Sequence, residues 1–268
     1  MTSQSAPATV LLDVSGGVAT ITLNRPEAMN SLDIATKVQL LDALRRVGED
    51  DAVRCVVITG TGRSFCTGQD LKEHISLLEN GGSDALFTTV DEHYNPIVTA
   101  IADLDKPVVA AVNGVAAGAG ASIAMACDLR VLAEGAGFNL AFAGVALSCD
   151  TGASVHLPQL VGRAKAMELL YFPRTVPAQE ALELGLATAV VPADEFAGEI
   201  EALATRLAAG PTLAFGSMRR SVAYAATHDL AESLAFESEQ MTRTGATADH
   251  RAAVEAFVAK QRPQFEGR

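Results

Sequence analysis

The first half of the chain alternates between segments typical of strands and segments typical of helices. An apolar run at residues 10–12 leads to two adjacent glycines, and apolar and polar positions then alternate over 18–23, which predicts a β-hairpin. Near-continuous apolar runs at 53–59 and 108–112 predict strands buried on both faces. The hairpin and these runs therefore predict a sheet with a covered interior.

Helical spacing of apolar residues separates these strands. A helix is predicted from about Leu32 to Val47, with Ser31 as its N-cap. A second helix should begin near Gly68, and a third should cover 90–104. The polar, glycine-rich stretch at 79–83 predicts a mobile loop. The apolar stripe of the first helix is predicted at Ile34, Val38, Leu41 and Leu44.

The second half of the chain continues the alternation and then becomes helical. A helix should run to about Cys127, followed by strands at 129–133 and 186–191, with mostly helical sequence from Ala164 onward. This order predicts an α/β fold with crossover connections. We expect residues 1–200 to form the core and 201–268 a helical C-terminal extension that packs subunits together.

Composition and charge exclude several classes of function. The 268 residues carry 32 acidic and 20 basic side chains, giving a net charge of −12, which excludes a general nucleic-acid binder. The four cysteines are scattered, so we expect no metal site, no disulfide framework and a reducing cytoplasmic location. No signal peptide is visible. The uncharged stretch 108–127 is interpreted as a buried strand and helix rather than a membrane span.

Two segments place small residues where a predicted strand passes into a helix. They are Ser64–Lys72 (SFCTGQDLK) and Lys106–Gly120 (KPVVAAVNGVAAGAG). Backbone N–H groups at a helix N-terminus lack intrahelical acceptors, and the helix dipole is positive there. Two such turns facing each other would form an oxyanion hole. Either turn alone is also typical of a tight strand-to-helix connection.

Together with further motifs, these turns resemble the enoyl-CoA hydratase/isomerase (crotonase) family over about residues 10–266. The resemblance implies a crotonase-like ββα spiral with a helical C-terminal trimerisation region, assembled as a homotrimer or a dimer of trimers. It implies an acyl-CoA substrate and no metal or other cofactor, since coenzyme A enters as part of the substrate. The further motifs are LNRPEAMNSL (23–32), CDLR (127–130), LPQLVG (157–162), ALELGLA (181–187) and AFVAKQRPQF (256–265).

The resemblance also implies roles for individual residues. The oxyanion donors map to the backbone N–H groups of Gln69 and Ala119. Glu27 stands where many family members have a basic residue, which leaves Arg25 or Lys260 as candidate phosphate contacts; Lys260 fits a solvated helix end equally well. The positions that match the coenzyme A surround are Ala28, Met29, Thr67, Asp70, Leu71, Phe257 and Lys260.

The acid–base residues indicate the reaction. Hydratases of the family use two glutamates, but the matching positions here are Ser122 and Phe142. Asp150 remains, in a pattern over 141–152 that resembles the single-Asp branch, which includes the ring-epoxide isomerases of the phenylacetate pathway. In that branch this Asp transfers the proton, and we expect burial to raise its pKa. An alternative is that Asp150 caps a helix beginning near Thr151, or does both.

The sequence therefore predicts an enoyl-CoA isomerase with Asp150 as proton shuttle and the Gln69 and Ala119 amides as oxyanion hole. One alternative is an enoyl-CoA hydratase of the same family, and another is a catalytically silent acyl-CoA-binding homo-oligomer. Dehalogenation with Asp150 as nucleophile is disfavoured, because that branch carries His and Trp where this chain has Asn95 and Phe142. The acyl group stays open, since the segment expected to surround it, 72–94, has little pattern.

Overall fold

The computed structural model describes residues 8–80 and 87–268. Its strands are β1 Val10–Ser15, β2 Val18–Leu23, β3 Cys55–Gly60, β4 Ser64–Cys66, β5 Val108–Val112, β6 Val115–Ala117, β7 Leu129–Ala133, β8 Gly137–Asn139, β9 Thr175–Pro177 and β10 Ala189–Val191. Its helices are α1 Ile34–Glu49, α2 Leu71–Asn80, α3 Asn95–Asp103, α4 Ala119–Ala126, α5 Ala153–Tyr171, α6 Ala178–Glu183, α7 Phe196–Ala208, α8 Thr212–Ala225, α9 Leu230–Gly245 and α10 Ala248–Val258. Short 3-10 turns cover Pro26–Ala28 and Ala143–Val145, and a π-helical turn covers Val90–Tyr94.

The strands form two sheets, in agreement with the predicted α/β class. The larger sheet has the order β1-β2-β3-β5-β7-β10. The predicted hairpin β1-β2 is confirmed as its antiparallel pair, and the other neighbours in this sheet are parallel. The second sheet has the order β4-β6-β8-β9, with an antiparallel β8-β9 pair. Parallel pairing requires the helical crossovers that the alternation of elements predicted.

The second sheet consists of strands that the periodicity did not predict. Each is three residues long, which is too short to show an alternating pattern. Pairing of Ser64 with Val115 and of Cys66 with Ala116 joins β4 to β6 in parallel. Their carboxyl ends therefore lie side by side at one edge of the sheet, and both glycine-containing turns leave from that edge.

The first helix begins later than predicted and has a different cap. Asp33, not Ser31, is the N-cap of α1, because its carboxylate accepts a 2.8 Å hydrogen bond from Thr36 N. Ser31 instead donates to the carboxylate of Asp70 at 3.1 Å. Asp33 is the cap rather than Ser31 because the helix starts at Ile34, so that the N–H of Thr36, three residues after Asp33, lies within reach of the Asp33 carboxylate.

The predicted apolar stripe of α1 was right at Leu41, which packs against the core, and at Leu44, but wrong at Ile34 and Val38. Ile34 and Val38 are 46% and 52% exposed, whereas Leu44 is buried. In the first turns of the helix, Thr36 and Lys37 face the core instead. The buried face consists of Thr36, Lys37, Leu40, Ala43, Leu44 and Val47.

Other elements differ from prediction mainly at their ends. The helix expected near Gly68 begins at Leu71, and the one expected over 90–104 starts as a π-helical turn before α3. The helical half begins at Ala153 rather than Ala164, and the last strand is shorter, starting at Ala189. The expected mobile loop at 79–83 lies mostly outside the described residues.

Hydrophobic cores form on both faces of the larger sheet. The smaller core packs Ala204 and Ala208 of α7 against Cys55, Val109 and Val131 of the sheet. The predicted division at residue 200 falls within α7; it stays a prediction. Residues 108–127 fold as β5, β6 and α4, and no described helix is long and apolar enough to cross a membrane.

Candidate active site

The two glycine-containing turns lie against each other. Gly68 follows β4 with φ of +84°, a backbone conformation that glycine adopts without strain. A Cβ at Gly68 would lie 2.9 Å from the Ala117 carbonyl oxygen and 3.3 Å from Ala119 N. On the other turn, a Cβ at Gly120 would collide with the Cys66 carbonyl oxygen. Small residues are needed in both turns because the two backbones touch.

Each turn presents a backbone N–H at this contact. Leu32 N donates to Gly68 O at 2.7 Å, and Asp70 N donates to Leu32 O at 3.1 Å. Since N–H directions alternate along an extended segment, the Gln69 N–H points away from Leu32. Ala119 is the first residue of α4, so its N–H has no intrahelical acceptor. Two donors positioned this way can stabilise one oxygen that gains negative charge.

Gln69 and Ala119, which carry these N–H groups, both line a cavity of about 290 Å³. It brings together Gln69, Ala119 and Asp150, the three residues predicted to carry the chemistry, and Thr67 and Leu71 also line it. Among the described lining residues, Asp150 has the one carboxylate. Most of the remaining wall is apolar and comes from Phe87, Val90, Phe142, Val145 and Leu147. The cavity therefore offers one titratable carboxylate in apolar surroundings.

The structure places Asp150 in the loop before α5. Burial raises the pKa of its carboxyl above the usual value, and a 2.8 Å hydrogen bond from Thr151 Oγ1 partly offsets that shift. The expectation that burial raises this pKa is met. The side chain does not cap α5, whose N-cap is Gly152 without a side-chain hydrogen bond. The capping alternative is therefore wrong, and the carboxylate is left free to act in the cavity.

Backbone strain occurs next to this carboxylate. Thr151 is 1% exposed and has φ of +54°, in the left-handed region that β-branched residues rarely adopt. Such a conformation costs on the order of 1–3 kcal/mol and persists only where the surroundings enforce it. Gly152 follows with φ of +78°. This unusual turn fixes the direction in which Asp150 leaves the backbone.

The positions where a hydratase would carry its glutamates hold side chains without acid–base chemistry. Ser122 is fully buried, and its Oγ donates to Gly118 O at 3.1 Å. Phe142 contributes an apolar wall to the cavity. Burial also raises the pKa of the Cys66 thiol to about 12, so this thiol stays protonated at neutral pH. None of these three side chains can activate a water molecule there.

Six of the seven expected coenzyme A residues fall into two groups. Thr67 and Leu71 line the cavity. Met29 O accepts hydrogen bonds from Thr67 N at 3.3 Å and from Thr67 Oγ1 at 3.4 Å, so Met29 and its neighbour Ala28 adjoin this turn. Phe257, 84% exposed, and Lys260 lie at the end of α10 and are absent from the described cavity lining. One chain therefore brings Ala28, Met29, Thr67 and Leu71 to the turn in which Asp70 also lies.

Asp70, the remaining member of that set, points elsewhere. Its carboxylate pairs with Arg25 at 2.9 Å and accepts from Ser31 and from the N–H of Lys72. Burial raises the pKa of Asp70, but these hydrogen bonds, led by that from Arg25, outweigh burial and lower the pKa. Asp70 joins two segments of the fold and does not line the cavity.

The same contacts correct one expectation for phosphate binding. The Arg25 guanidinium also contacts Asp33 at 3.2 Å and donates to the Ser31 carbonyl at 2.7 Å. Both terminal nitrogens of Arg25 are thus engaged within the chain, which makes Arg25 the weaker of the two candidate phosphate contacts. Sequence spacing could not show this, because Asp70 is distant along the chain.

Several residues at the site were missed by the sequence reasoning. Phe87 and Tyr94 line the cavity from within the segment 72–94 that was expected there, though neither was singled out, and the contact of Lys37 with Gln69 and Glu73 beneath the turn was not predicted. The available signal was a lysine three residues before Leu40, on what proves to be the buried stripe of α1. No described group of three His, Cys, Asp or Glu side chains is arranged to hold a metal ion.

Comparison with known proteins agrees with this arrangement. The model of the enoyl-CoA hydratase/isomerase family matches residues 13–268. The 1,2-epoxyphenylacetyl-CoA isomerase of Escherichia coli K12 is 40% identical over 97% of this chain and 98% of its own. The crotonyl-CoA hydratase of Syntrophomonas wolfei is 32% identical over 96% and 97%.

Solved structures give the same result for the fold. A Mycobacterium abscessus protein assigned as an enoyl-CoA hydratase/isomerase superposes with a TM-score of 0.93 at 41% identity, covering 97% of this chain and 100% of that one. The predicted crotonase-like fold is confirmed. The two facing turns carry Gln69 and Ala119, which line one cavity. This chain belongs to the enoyl-CoA hydratase/isomerase family of enzymes.

Proposed function

We propose that this protein is an enoyl-CoA isomerase that moves a double bond by proton transfer through Asp150. The observation that carries the proposal is the cavity itself, in which the Gln69 and Ala119 amides and a single described carboxylate meet. Coenzyme A belongs to the substrate in this proposal, and no other cofactor is involved. The protein would act on an acyl-CoA thioester in the cytoplasm.

The proposed reaction balances with one carboxylate. The N–H groups of Gln69 and Ala119 donate to the thioester oxygen of a 3-enoyl-CoA, which acidifies the hydrogens on C2. The Asp150 carboxylate removes a C2 proton, and the electron pair spreads over the thioester and the double bond. The neutral Asp150 carboxyl then returns the proton to C4, giving the 2-enoyl-CoA and regenerating the carboxylate.

The environment of Asp150 supports this role. A general base is most effective when its pKa approaches the working pH, and burial moves the Asp150 pKa in that direction. The apolar wall formed by Phe142, Val145 and Leu147 favours keeping the proton on the carboxyl between the two transfers.

Hydration is the second candidate, because a crotonyl-CoA hydratase is among the relatives. It needs a group that activates water at one carbon and a group that delivers a proton at the other. Buried Ser122, bonded to Gly118 O, and apolar Phe142 occupy the positions expected for those groups. The isomerase is therefore the better match to the site.

One assay separates these functions. Wild type and Asp150→Asn are incubated separately with 3-enoyl-CoA and 2-enoyl-CoA, and products are followed by ultraviolet absorbance and mass spectrometry. We expect wild type to convert 3-enoyl to 2-enoyl-CoA at unchanged mass, and Asp150→Asn to be slower by at least about 1,000-fold, because the proton carrier is gone.

Two other outcomes would contradict the proposal. Addition of one water to 2-enoyl-CoA that is undiminished in Asp150→Asn would establish a hydratase with other acid–base groups. Tight coenzyme A binding without turnover of any enoyl-CoA would favour a catalytically silent acyl-CoA-binding protein.

The proposal includes assembly into a homotrimer or a dimer of trimers. Phe257 and Lys260, exposed at the end of α10, would then reach the coenzyme A of a neighbouring subunit. Large apolar side chains stay exposed on the C-terminal helices of the single chain, as expected of an unpaired interface. They include Met218, Val222, Leu230, Met241 and Phe257.

A further inference from the structure

A fully buried lysine lies beneath the turn that carries Gln69. The Lys37 side chain on α1 is 0% exposed, and its Nζ lies 3.2 Å from Gln69 Oε1, 3.2 Å from Glu73 Oε1 and 2.8 Å from Thr89 Oγ1. An ammonium has three donors, so all of them have partners here. The contacts join α1 to the Gln69 turn, to α2 and to the helical segment around Thr89.

Both polar atoms of the Gln69 side chain are hydrogen-bonded. Its Oε1 accepts from both Lys37 Nζ and Tyr94 OH, the latter at 2.5 Å, and its Nε2 donates to Glu73 Oε1 at 3.0 Å. Glu73 is anchored in turn, since its Oε2 accepts from Ile34 N at 2.8 Å. The side chain of Gln69 is therefore fixed by α1, α2 and Tyr94.

This fixation bears on chemistry because the contribution expected from Gln69 is its backbone N–H. Oxyanion stabilisation depends on donors held within a narrow geometry before the charge develops. A displacement of about 1 Å can cost on the order of 100-fold in rate. The cluster holds Gln69, the residue whose N–H must keep its position. Two members of the cluster, Thr89 and Tyr94, also line the cavity.

We propose that Lys37 is a positioning residue that holds the Gln69 amide in place for thioester activation. The inference rests on the proposed acyl-CoA function but concerns a residue that does not line the cavity. Lys37 acts through the Gln69 side chain, with Tyr94 as the second anchor. Glu73 neutralises its charge, so the effect is geometric rather than a direct field on the substrate.

A second buried lysine provides a matched control. Lys106 is 6% exposed and donates from Nζ to Val47 O and Asp50 O, both at 2.6 Å. Burial lowers the pKa of both lysines. Lys106 secures the end of α1 and has no contact with the Gln69 turn. Loss of either ammonium should reduce the stability of the fold. Only the loss of the Lys37 ammonium, and not that of Lys106, should also disturb the oxyanion donors.

The first readout is independent of turnover. The ¹³C chemical shift of the thioester carbonyl is measured for carbonyl-labelled butanoyl-CoA, free and bound to each variant. This saturated thioester can be neither isomerised nor hydrated, and polarisation by N–H donors moves its carbonyl signal downfield. We expect Lys37→Met to lose at least about half of the wild-type binding shift, and Lys106→Met to retain it.

The second readout is kinetic. On 3-enoyl-CoA, Lys37→Met should lower kcat about tenfold or more with KM changed less than about threefold, whereas Lys106→Met should change kcat less than about twofold. Gln69→Met keeps the backbone N–H but removes the anchor. Combining it with Lys37→Met should add little further loss, because both act through one contact.

The outcomes are distinct. The positioning role would be overturned if Lys37→Met kept the full ¹³C shift that wild type produces on binding. It would also be overturned if Lys37→Met and Lys106→Met lost kcat equally. If wild type produced no downfield shift on binding, thioester activation itself would be overturned, and with it the proposed function. If Lys37→Met does not fold, Tyr94→Phe and Gln69→Met make the same test, and retention of the full shift and kcat in both would refute the proposal.

Discussion

The Asp150 carboxyl sets the pH range in which the proposed reaction can run. The group acts as a base only when ionised, and burial raises its pKa. We therefore expect kcat/KM to fall as pH drops through a pKa above the ordinary aspartate value of 3.8. A pH–rate profile on 3-enoyl-CoA checks this, and an acid limb at or below the ordinary value would contradict it.

A substitution at Thr151 should shift the acid limb of that pH–rate profile in a known direction. Its hydroxyl donates to the Asp150 carboxylate and so favours the charged form. In Thr151→Val the acid limb should move to higher pH, because the hydrogen bond that favours the charged carboxylate is lost. An unchanged limb would mean that another group controls the acid side of the profile.

At the same scale, the sequence predicted which groups would react but not which residues hold them in place. The resemblance of local motifs to the family implied Asp150, Gln69 and Ala119, and the structure brings these three residues to one cavity. The partners of Arg25 and Lys37 come from segments remote in sequence, such as Asp70 and Thr89. Contacts of this kind depend on the packing of elements, which spacing along the chain does not encode.

At the scale of elements, the contact between the two turns is the critical feature. Gly68 takes a left-handed conformation, and its Cα faces the Ala117–Ala119 backbone. Backbone atoms cannot swing aside as a flexible side chain can. A single added methyl group must therefore move one turn relative to the other.

Gly68→Ala tests this contact. We expect kcat/KM to fall by at least about tenfold, because the Gln69 and Ala119 donors separate, with a stability loss of about 1–3 kcal/mol from strain. Gly135→Ala is the control, since a Cβ there meets nothing within 4 Å and its φ is not left-handed. Enzyme assays and thermal melts check both variants, and wild-type activity in Gly68→Ala would refute the account.

The elements also show where sequence patterns succeed and fail. Long buried runs such as β3 and β5 were predicted because hydrophobicity alone identifies them. The strands β4 and β6 were missed as strands, yet their positions were marked by the glycines and small residues of the turns that follow. The buried face was wrong in the first turns of α1, because Ile34 and Val38 are apolar but exposed, while Lys37 is charged but buried.

At the scale of the whole molecule, the second sheet brings separate segments to a single site. Parallel pairing of β4 with β6 places both turns at one edge, and α5 follows the loop that delivers Asp150 to the same cavity. The α/β class could be predicted from the order of elements. Assembly into a trimer or a dimer of trimers stays a prediction, and sedimentation equilibrium would show three or six times the 27.8 kDa chain mass.

The central claim is that one carboxylate carries the proton from C2 to C4 of the substrate. The most direct test is a single turnover of 3-enoyl-CoA deuterated at C2, in ordinary water, with the label in the product located by mass spectrometry and NMR. We expect 2-enoyl-CoA with part of the deuterium at C4, because the apolar cavity keeps the label on Asp150 between the two transfers. A hydrated product, or 2-enoyl-CoA with solvent hydrogen alone delivered to C4, would contradict the account.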